Sequence, residues 1–409
     1  MKKLFSIFAL AIITAAGFTA CNDDDNEWVD PNGEPLKVIS NETSFSAPAS
    51  TGSIVVDTQD PVTVTSNDNG WVTTTVNGNT IEVAVEENRE LDGRVATLTI
   101  KAGSKKTDVS IVQSGAIFKI DLDRIYRTVN TSYTVTTPVV ANLPVTFATS
   151  SDWITATYDE EAGALTVKLT ANTTKHMRSG YIEYSCGNNS GRIPVKQCVF
   201  STDLVGDYRL NFTDPSDNGG YYIPAKVSGT QTNCKLEIPA YDISIPMTYS
   251  STDFTFTLTA GQEVGTFNYK NVDHILGTLI CQLTPGSTSY SYTWDTKIGM
   301  TGAIENGYLS SGDLVTLAQF KDNGSWAGKV ANALYIELFT KTPINSTNRA
   351  SVYLLHMQNP YLLRVDVAAP TANDAASARP MSLKSGDFSG ARLIKSLEPK
   401  PCPNNMIAY

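Results

Sequence analysis

Long apolar runs are scarce in this 409-residue chain. After the first twenty residues none approaches the roughly 20 apolar residues that a membrane-spanning helix needs. The body of the chain is therefore expected to be soluble. Charge is also sparse: only 18% of residues are Asp, Glu, Lys or Arg, and the net charge is −10. A minority of basic residues argues against a nucleic-acid partner, which would call for a basic face. Histidine occurs three times, as His176, His274 and His356. No G-x-S-x-G elbow accompanies them, so no Ser-His-Asp arrangement is expected. There is no C-x-x-C or H-x-x-x-H pair to hold zinc and no glycine loop to cradle phosphate. No acidic pair stands out as a hydrolytic dyad. No metal, cofactor or catalytic residue is expected. Thr, Ser, Asn, Val and Tyr abound instead, a composition that suits pleated, half-buried surfaces.

Cysteine is limited to six residues. If Cys21 is modified, five remain: Cys186, Cys198, Cys234, Cys281 and Cys402. An odd number cannot pair fully. Cys186 and Cys198 flank the turn "GNNSG". A hairpin centred there sets Cys186 against Arg192 and Cys198 against Gly180. At about 3.3 Å per residue the sulfurs would stand roughly 20 Å apart, too far for a bridge. Buried unpaired thiols are expected.

The first twenty residues are ordered differently from the rest. Lys2 and Lys3 precede an almost wholly apolar stretch, Leu4 to Ala16, and small residues lead to Cys21. That layout is a secretory signal. Phe18-Thr19-Ala20-Cys21 resembles the bacterial lipobox, with Phe18 where leucine is usual. The resemblance implies acylation of Cys21, which ends the signal segment 1–21, and removal of the residues before it. Two or more chains would anchor the protein stably. Asp23, Asp24 and Asp25 follow at once. They resemble the export signal that sends such lipoproteins to the outer face of the outer membrane. Residues 22–36 are also readable as a solvated acidic tether.

An internal repeat follows. "NGWVTTTV" (Asn69 to Val76) and "SDWITATY" (Ser151 to Tyr158) each place a Trp in an alternating strand. "IEVAVEEN" (Ile81 to Asn88) parallels "LTVKLTAN" (Leu165 to Asn172). Arg94 precedes Gln113 by nineteen residues, and Arg178 precedes Gln197 by nineteen. Trp71 and Trp153 lie 82 apart, the length of one small domain. Ile81, Val83 and Val85 share a face, as do Leu165, Val167 and Leu169. Short alternating strands between turn clusters, without helical period, predict two sandwiches.

This pattern of Trp, valine-rich strand ending in Asn, then Arg, then a hairpin closing on Gln resembles the BACON domain. The name stands for Bacteroidetes-associated carbohydrate-binding, often N-terminal. The likeness covers about residues 37–115 and 116–200. It implies an immunoglobulin-like fold, a surface lipoprotein context and a role in binding glycans, although some members are more like spacers. Each signature residue also has a reading that needs no ligand. Trp71 and Trp153 fit as core anchors. Asn88 and Asn172 can bond turn backbone. Arg94 and Arg178 can meet acidic groups or carbonyls, and Gln113 and Gln197 can satisfy a strand edge.

From about Ser201 the repeat stops, and residues 201–367 read as a larger all-β domain. Eight strand-like runs are readable: Tyr208–Thr213, Tyr221–Val227, Phe254–Thr259, Gly265–Tyr269, Ile275–Leu283, Ser289–Trp294, Leu334–Thr340 and Val352–Met357. They suffice for a barrel or a second sandwich. Gly206-Asp207-Tyr208 resembles the opening motif of calycin-like barrels. In "SYSYTWDT" the rings of Tyr290, Tyr292 and Trp294 alternate onto one strand face. Such a strip suits sugar C–H faces and equally suits a core. Asp295 points the other way, and Glu305 and Asn306 are offered as polar partners. Residues 368–409, with "APTANDAASARP" and "EPKPCPNN", read as a flexible tail.

The chain is thus expected to be all-β: two immunoglobulin-like sandwiches followed by a larger β-barrel or β-sandwich. The leading functional expectation is a non-enzymatic lipoprotein facing outward from the outer membrane. In it the repeats act as a stalk and Tyr290, Tyr292 and Trp294 contact glycan. A spacer or adhesion protein with a protein partner is the second reading, and a hydrolase with an unfamiliar all-β domain is the third.

Overall fold

The computed structural model describes residues 35–174, 176–284, 290–308, 313–366, 391–403 and 406–408. Cys21 and the aspartates Asp23, Asp24 and Asp25 lie outside these residues. Contacts divide the chain into two compact units, one running to Glu87 and resuming over Arg94–Gln113, the other taking Asn88–Gly93 and Ser114 onward.

The first unit is a sandwich of two four-stranded sheets. Its strands are β1 (Val38–Asn41), β2 (Ser44–Phe45), β3 (Ser50–Val56), β4 (Val62–Ser66), β5 (Val72–Asn77), β6 (Thr80–Val85), β7 (Arg94–Ala102) and β8 (Lys105–Gln113). One sheet runs β1-β3-β6-β5, the other β2-β8-β7-β4. The period-two pattern decides what is buried. Ile81 and Val83 of β6 face Leu98 and Ile100 of β7, all fully buried. Truncating one of these to Ala costs about 2–5 kcal/mol.

The second unit opens with the same sandwich. Its strands are β9 (Phe118–Ile120), β10 (Ile125–Arg127), β11 (Tyr133–Ala141), β12 (Val145–Thr149), β13 (Ile154–Asp159), β14 (Ala164–Leu169), β15 (Arg178–Cys186) and β16 (Asn189–Gln197). The sheets run β9-β11-β14-β13 and β10-β16-β15-β12. Leu165 and Val167 of β14 meet Ile182 and Val195 in the core. The β15–β16 hairpin differs from the expected register. Cys186 faces Asn189, and Gly180 faces Val195. The turn is two residues long, with Gly187 at φ +59°, and tight hairpin turns draw on glycine's tolerance of positive φ. Cys186, Cys198, Cys234 and Cys281 are buried and unpaired, and Cys402 is half-buried and unpaired.

A closed barrel follows. Its strands are β17 (Gly206–Asp214), β18 (Gly219–Thr230), β19 (Asn233–Ile238), β20 (Ile243–Ser250), β21 (Thr255–Thr259), β25 (Gly299–Tyr308), β26 (Leu314–Asp322) and β28 (Arg349–Asp366). Every neighbour is antiparallel, and β28 closes on β17 through Leu210↔Leu362. Eight strands leave a bore that side chains can fill. Tyr208, Phe212, Met247, Phe256, Met300 and Phe320 do so.

Two insertions build a side sheet. β22 (Glu263–Tyr269), β23 (Val272–Leu283) and β24 (Tyr290–Thr293) lie between β21 and β25, and β27 (Ala333–Phe339) precedes β28. β23 pairs with β27, and β27 with the first half of β28. Asn359, at φ +49°, sits where β28 passes from side sheet to barrel. Asparagine tolerates this conformation better than most residues. The C-terminal stretch, which the sequence suggests is a flexible tail, pairs at three points. β29 (Arg392–Leu393) lies on β18, β30 (Lys400–Pro401) on β28 and β31 (Met406–Ala408) on β24. Open sheet edges supply the unpaired backbone groups that such short strands take up.

Within the second unit the sandwich is fastened to the barrel. Lys196 is buried, and its Nζ donates to Ile304 O at 3.0 Å and to Glu305 Oε1 at 2.6 Å. Tyr126 stacks on Phe254 at 5.3 Å, and Arg124 pairs with Asp253 at 2.8 Å. Arg364 donates to Asp203 O at 3.0 Å.

Candidate functional site

The repeated signature residues assemble into one device in each sandwich. In the first, the Arg94 guanidinium lies 4.5 Å from the centre of the Trp71 ring. Arg94 Nε donates to Gln113 Oε1 at 2.9 Å and Nη2 to Glu86 O at 2.7 Å. Gln113 is fully buried and its Nε2 donates to Glu86 O at 2.9 Å and to Ala47 O at 3.1 Å. Trp71 Nε1 donates to Asp68 at 2.9 Å.

The second sandwich repeats this. Arg178 lies 4.2 Å over Trp153 and donates from Nε to Gln197 Oε1 at 3.0 Å. Its Nη2 donates to Thr170 O. Gln197 Nε2 donates to Val129 O at 2.9 Å and Thr131 O at 3.0 Å. Asn88 donates to Asp92 O and Ser114 O, and Asn172 to His176 O. Buried carbonyls left without donors are costly, and these side chains supply the donors. The nineteen-residue spacing reflects a cross-strand pair: Arg94 faces Gln113 and Arg178 faces Gln197 across their hairpins.

The aromatic strip lies on the side sheet. Tyr292 is buried, while Tyr290 and Trp294 are half-buried. Tyr292 and Trp294 meet with ring centres 5.7 Å apart. Below Tyr292 sits an ion pair. Glu337 is fully buried and accepts from Arg349 Nε at 2.5 Å and Nη2 at 2.8 Å. Arg349 Nη1 donates to Tyr292 Oη at 3.0 Å, and its guanidinium lies 4.5 Å from that ring's centre. Tyr292 therefore covers a buried charge pair, and burial pushes its phenol pKa up. Tyr290 and Trp294, the half-buried members of the strip, pack against the same buried cluster as Tyr292.

Beside it His356 is sandwiched between Tyr335 and Tyr353, with ring centres at 3.4 and 3.5 Å. Its Nε2 is buried without a hydrogen bond, as is Tyr335 Oη. Burial, then the charges of Lys400 and Arg349, drive the His356 pKa down to about 2. A neutral stacked imidazole of this kind is a packing element. Nothing in the sequence pairs Tyr335 with His356, because they come from β27 and β28 and meet only across the sheet.

Glu305 and Asn306 do not join the strip. Glu305 binds Lys196, and Asn306 Nδ2 donates to Met177 O at 2.9 Å. The Asp295 carboxylate accepts from Lys297 N at 3.0 Å, closing a turn. Among the described residues no group of three or more His, Cys, Asp or Glu could hold a metal ion.

Comparison with known proteins matches two stretches, residues 61–114 and 144–197, to the BACON family, described as "Putative binding domain, N-terminal". The chain carries two tandem BACON domains. No curated protein matches. Among solved structures, an NMR structure of a protein from Bacteroides thetaiotaomicron is 17% identical over 21% of this chain and 94% of its own, with a TM-score of 0.19. The I9–I11 tandem of titin is 10% identical over 74% of this chain and 94% of its own, with a TM-score of 0.31. An endo-fucoidan hydrolase of glycoside hydrolase family 107 is 16% identical over 42% of this chain and 29% of its own, with a TM-score of 0.21.

Proposed function

We propose that this chain is a glycan-binding, non-enzymatic lipoprotein, anchored through acylated Cys21 and exposed on the outer membrane surface. The observation that carries the reading is the tandem pair of BACON domains. The signal-like leader, the lipobox-like Cys21 and the acidic Asp23, Asp24 and Asp25 support the location. The packed contact of Lys196, Tyr126 and Arg124 with the barrel supports a stalk whose second module holds the C-terminal domain firmly.

Two experiments test it. Protease added to living cells should remove the protein from their surface; full protection would refute surface exposure. A glycan array probed with the full chain should reveal binding to host or dietary glycans. Trp294→Ala and Tyr290→Ala are the informative variants on the strip, because Tyr292→Ala would also expose the Glu337–Arg349 pair.

A second reading has its own support. Trp71, Trp153, Arg94, Arg178, Gln113 and Gln197 are all engaged in internal contacts, which suits a spacer or adhesion protein. Silence on the array together with a protein partner recovered by crosslinking on cells would favour it.

A further inference from the structure

The second sandwich carries a concavity. It has a volume of about 380 Å³ and lies between the residues following β9 and the β15–β16 hairpin. Ligand sites for small molecules span about 300–1,000 Å³. Leu122 and Ile193 supply its apolar lining, and Asp121, Asp123, Tyr184 and Arg192 supply its polar groups.

Arg192 and Tyr184 are held in place, and the two aspartates keep bonding capacity. The Asp121 and Asp123 side chains are exposed and take neither hydrogen bond nor ion pair among the described residues. Arg192 is oriented by Glu183, to which Nε donates at 2.8 Å and Nη2 at 2.6 Å, and by Tyr181, whose ring centre is 4.2 Å away. Its Nη1 is left over. Tyr184 stacks on Phe118 with ring centres 4.6 Å apart. Gly191 lies against it, and a Cβ there would stand 2.4 Å from Tyr184 Oη. Glycine at 191 therefore seats the tyrosine.

At the matching positions, counted from the strand partners of Gln113 and Gln197, the first sandwich has Ile39, Asn41, Ile100 and Asp108. It lacks the carboxylate pair, the tyrosine and the arginine.

From this geometry we infer that the pocket formed by Asp121, Asp123, Tyr184 and Arg192 is a site for a neutral hexopyranose unit. The inference rests on the glycan-binding reading above and moves the contact onto the second sandwich. Carboxylates accept charge-assisted hydrogen bonds from adjacent sugar hydroxyls, while Tyr184 Oη and Arg192 Nη1 supply donors. Glu183 neutralises Arg192, so the two aspartates leave the rim negative. Sulfated or carboxylated sugars are repelled.

The test is ligand-observed NMR titration of the full chain with methyl gluco-, galacto- and mannopyranosides and with their 6-sulfates. At least one neutral glycoside should bind, and its sulfate should bind at least about tenfold more weakly. Asp121→Ala with Asp123→Ala should weaken binding by about tenfold or more, as loss of hydrogen bonds to charged groups implies. Tyr184→Phe, which keeps the ring packing, should weaken it less but measurably. Undiminished binding by the double aspartate variant, with loss in Trp294→Ala, would overturn the pocket and leave the glycan reading standing. Sulfates that bind as tightly as their parents would also overturn it. No binding of any glycoside by the wild-type chain, with a silent array, would overturn both.

Discussion

Acid should destabilise the second unit through His356, and the size of the effect follows from its surroundings. In the unfolded chain the imidazole titrates at its ordinary value of 6.5, whereas in the fold burial drives it to about 2. A depressed pKa means that the unfolded state binds the proton first. Stability is therefore intact above about pH 6.5 and is lost as pH falls toward 2. Each pH unit in that window costs about 1.4 kcal/mol. Two units below 6.5, at pH 4.5, the loss is about 2–3 kcal/mol, a factor of about 100 in the folding equilibrium. Carboxylates also begin to titrate there, so the measurement is a difference. Urea unfolding of wild type and His356→Phe is compared at pH 7.5 and pH 4.5. Phenylalanine keeps the stack with Tyr335 and Tyr353 and removes the orphaned Nε2. The variant should be about as stable as wild type at pH 7.5 and more stable at pH 4.5 by about 2 kcal/mol. Identical acid sensitivity in both proteins would refute the assignment of the titration to this residue.

Three further expectations concern packing. Gln197→Ala removes the donor to Val129 O and Thr131 O and the acceptor for Arg178. It should destabilise the second unit by about 2–4 kcal/mol in urea titration, and a loss below about 0.5 kcal/mol would contradict the fastener. Lys196→Met and Glu305→Gln should be coupled, with a double-mutant cycle giving about 1–2 kcal/mol. That figure is discounted because Glu305 is 36% exposed, and additive effects would show that the contact does not hold the sandwich to the barrel. Burial raises the Cys234 thiol to about 12 and also raises the Cys198 and Cys281 thiols. Iodoacetamide at pH 8 should label these cysteines only after unfolding, as mass spectrometry would reveal; labelling of the native protein at the rate of a small thiol would disprove their burial.

Much of the architecture was legible because strands advertise themselves at period two. Ile81, Val83 and Val85 point inward as their spacing says, and so do Leu165, Val167 and Leu169. Four barrel strands were not legible. β20 carries Pro246 in its interior, and β25 begins at Gly299 and includes Gly302 and Gly307, residues that read as breakers. They hold because neighbours on both sides supply the pairing, which local propensity cannot register. The hairpin register around Cys186 differs from the expected one for a similar reason. "GNNSG" allows several centres, and only the positive φ of Gly187 selects one.

The sequence alone determined the class of the fold, the doubling of the module and the identity of its signature residues. Each of these is written in local spacing or in similarity at a fixed interval. Tertiary structure decided what those residues do. It joined Arg178 to Gln197 and Trp153, buried Tyr292 on Glu337 and Arg349 while leaving Tyr290 and Trp294 half-exposed, and spent Glu305 on Lys196. It also brought Asp121 and Asp123 to Tyr184 and Arg192, some sixty to seventy residues further along the chain. No local rule connects positions so far apart. Their meeting depends on strand order and sheet packing, the properties that folding adds to the chain.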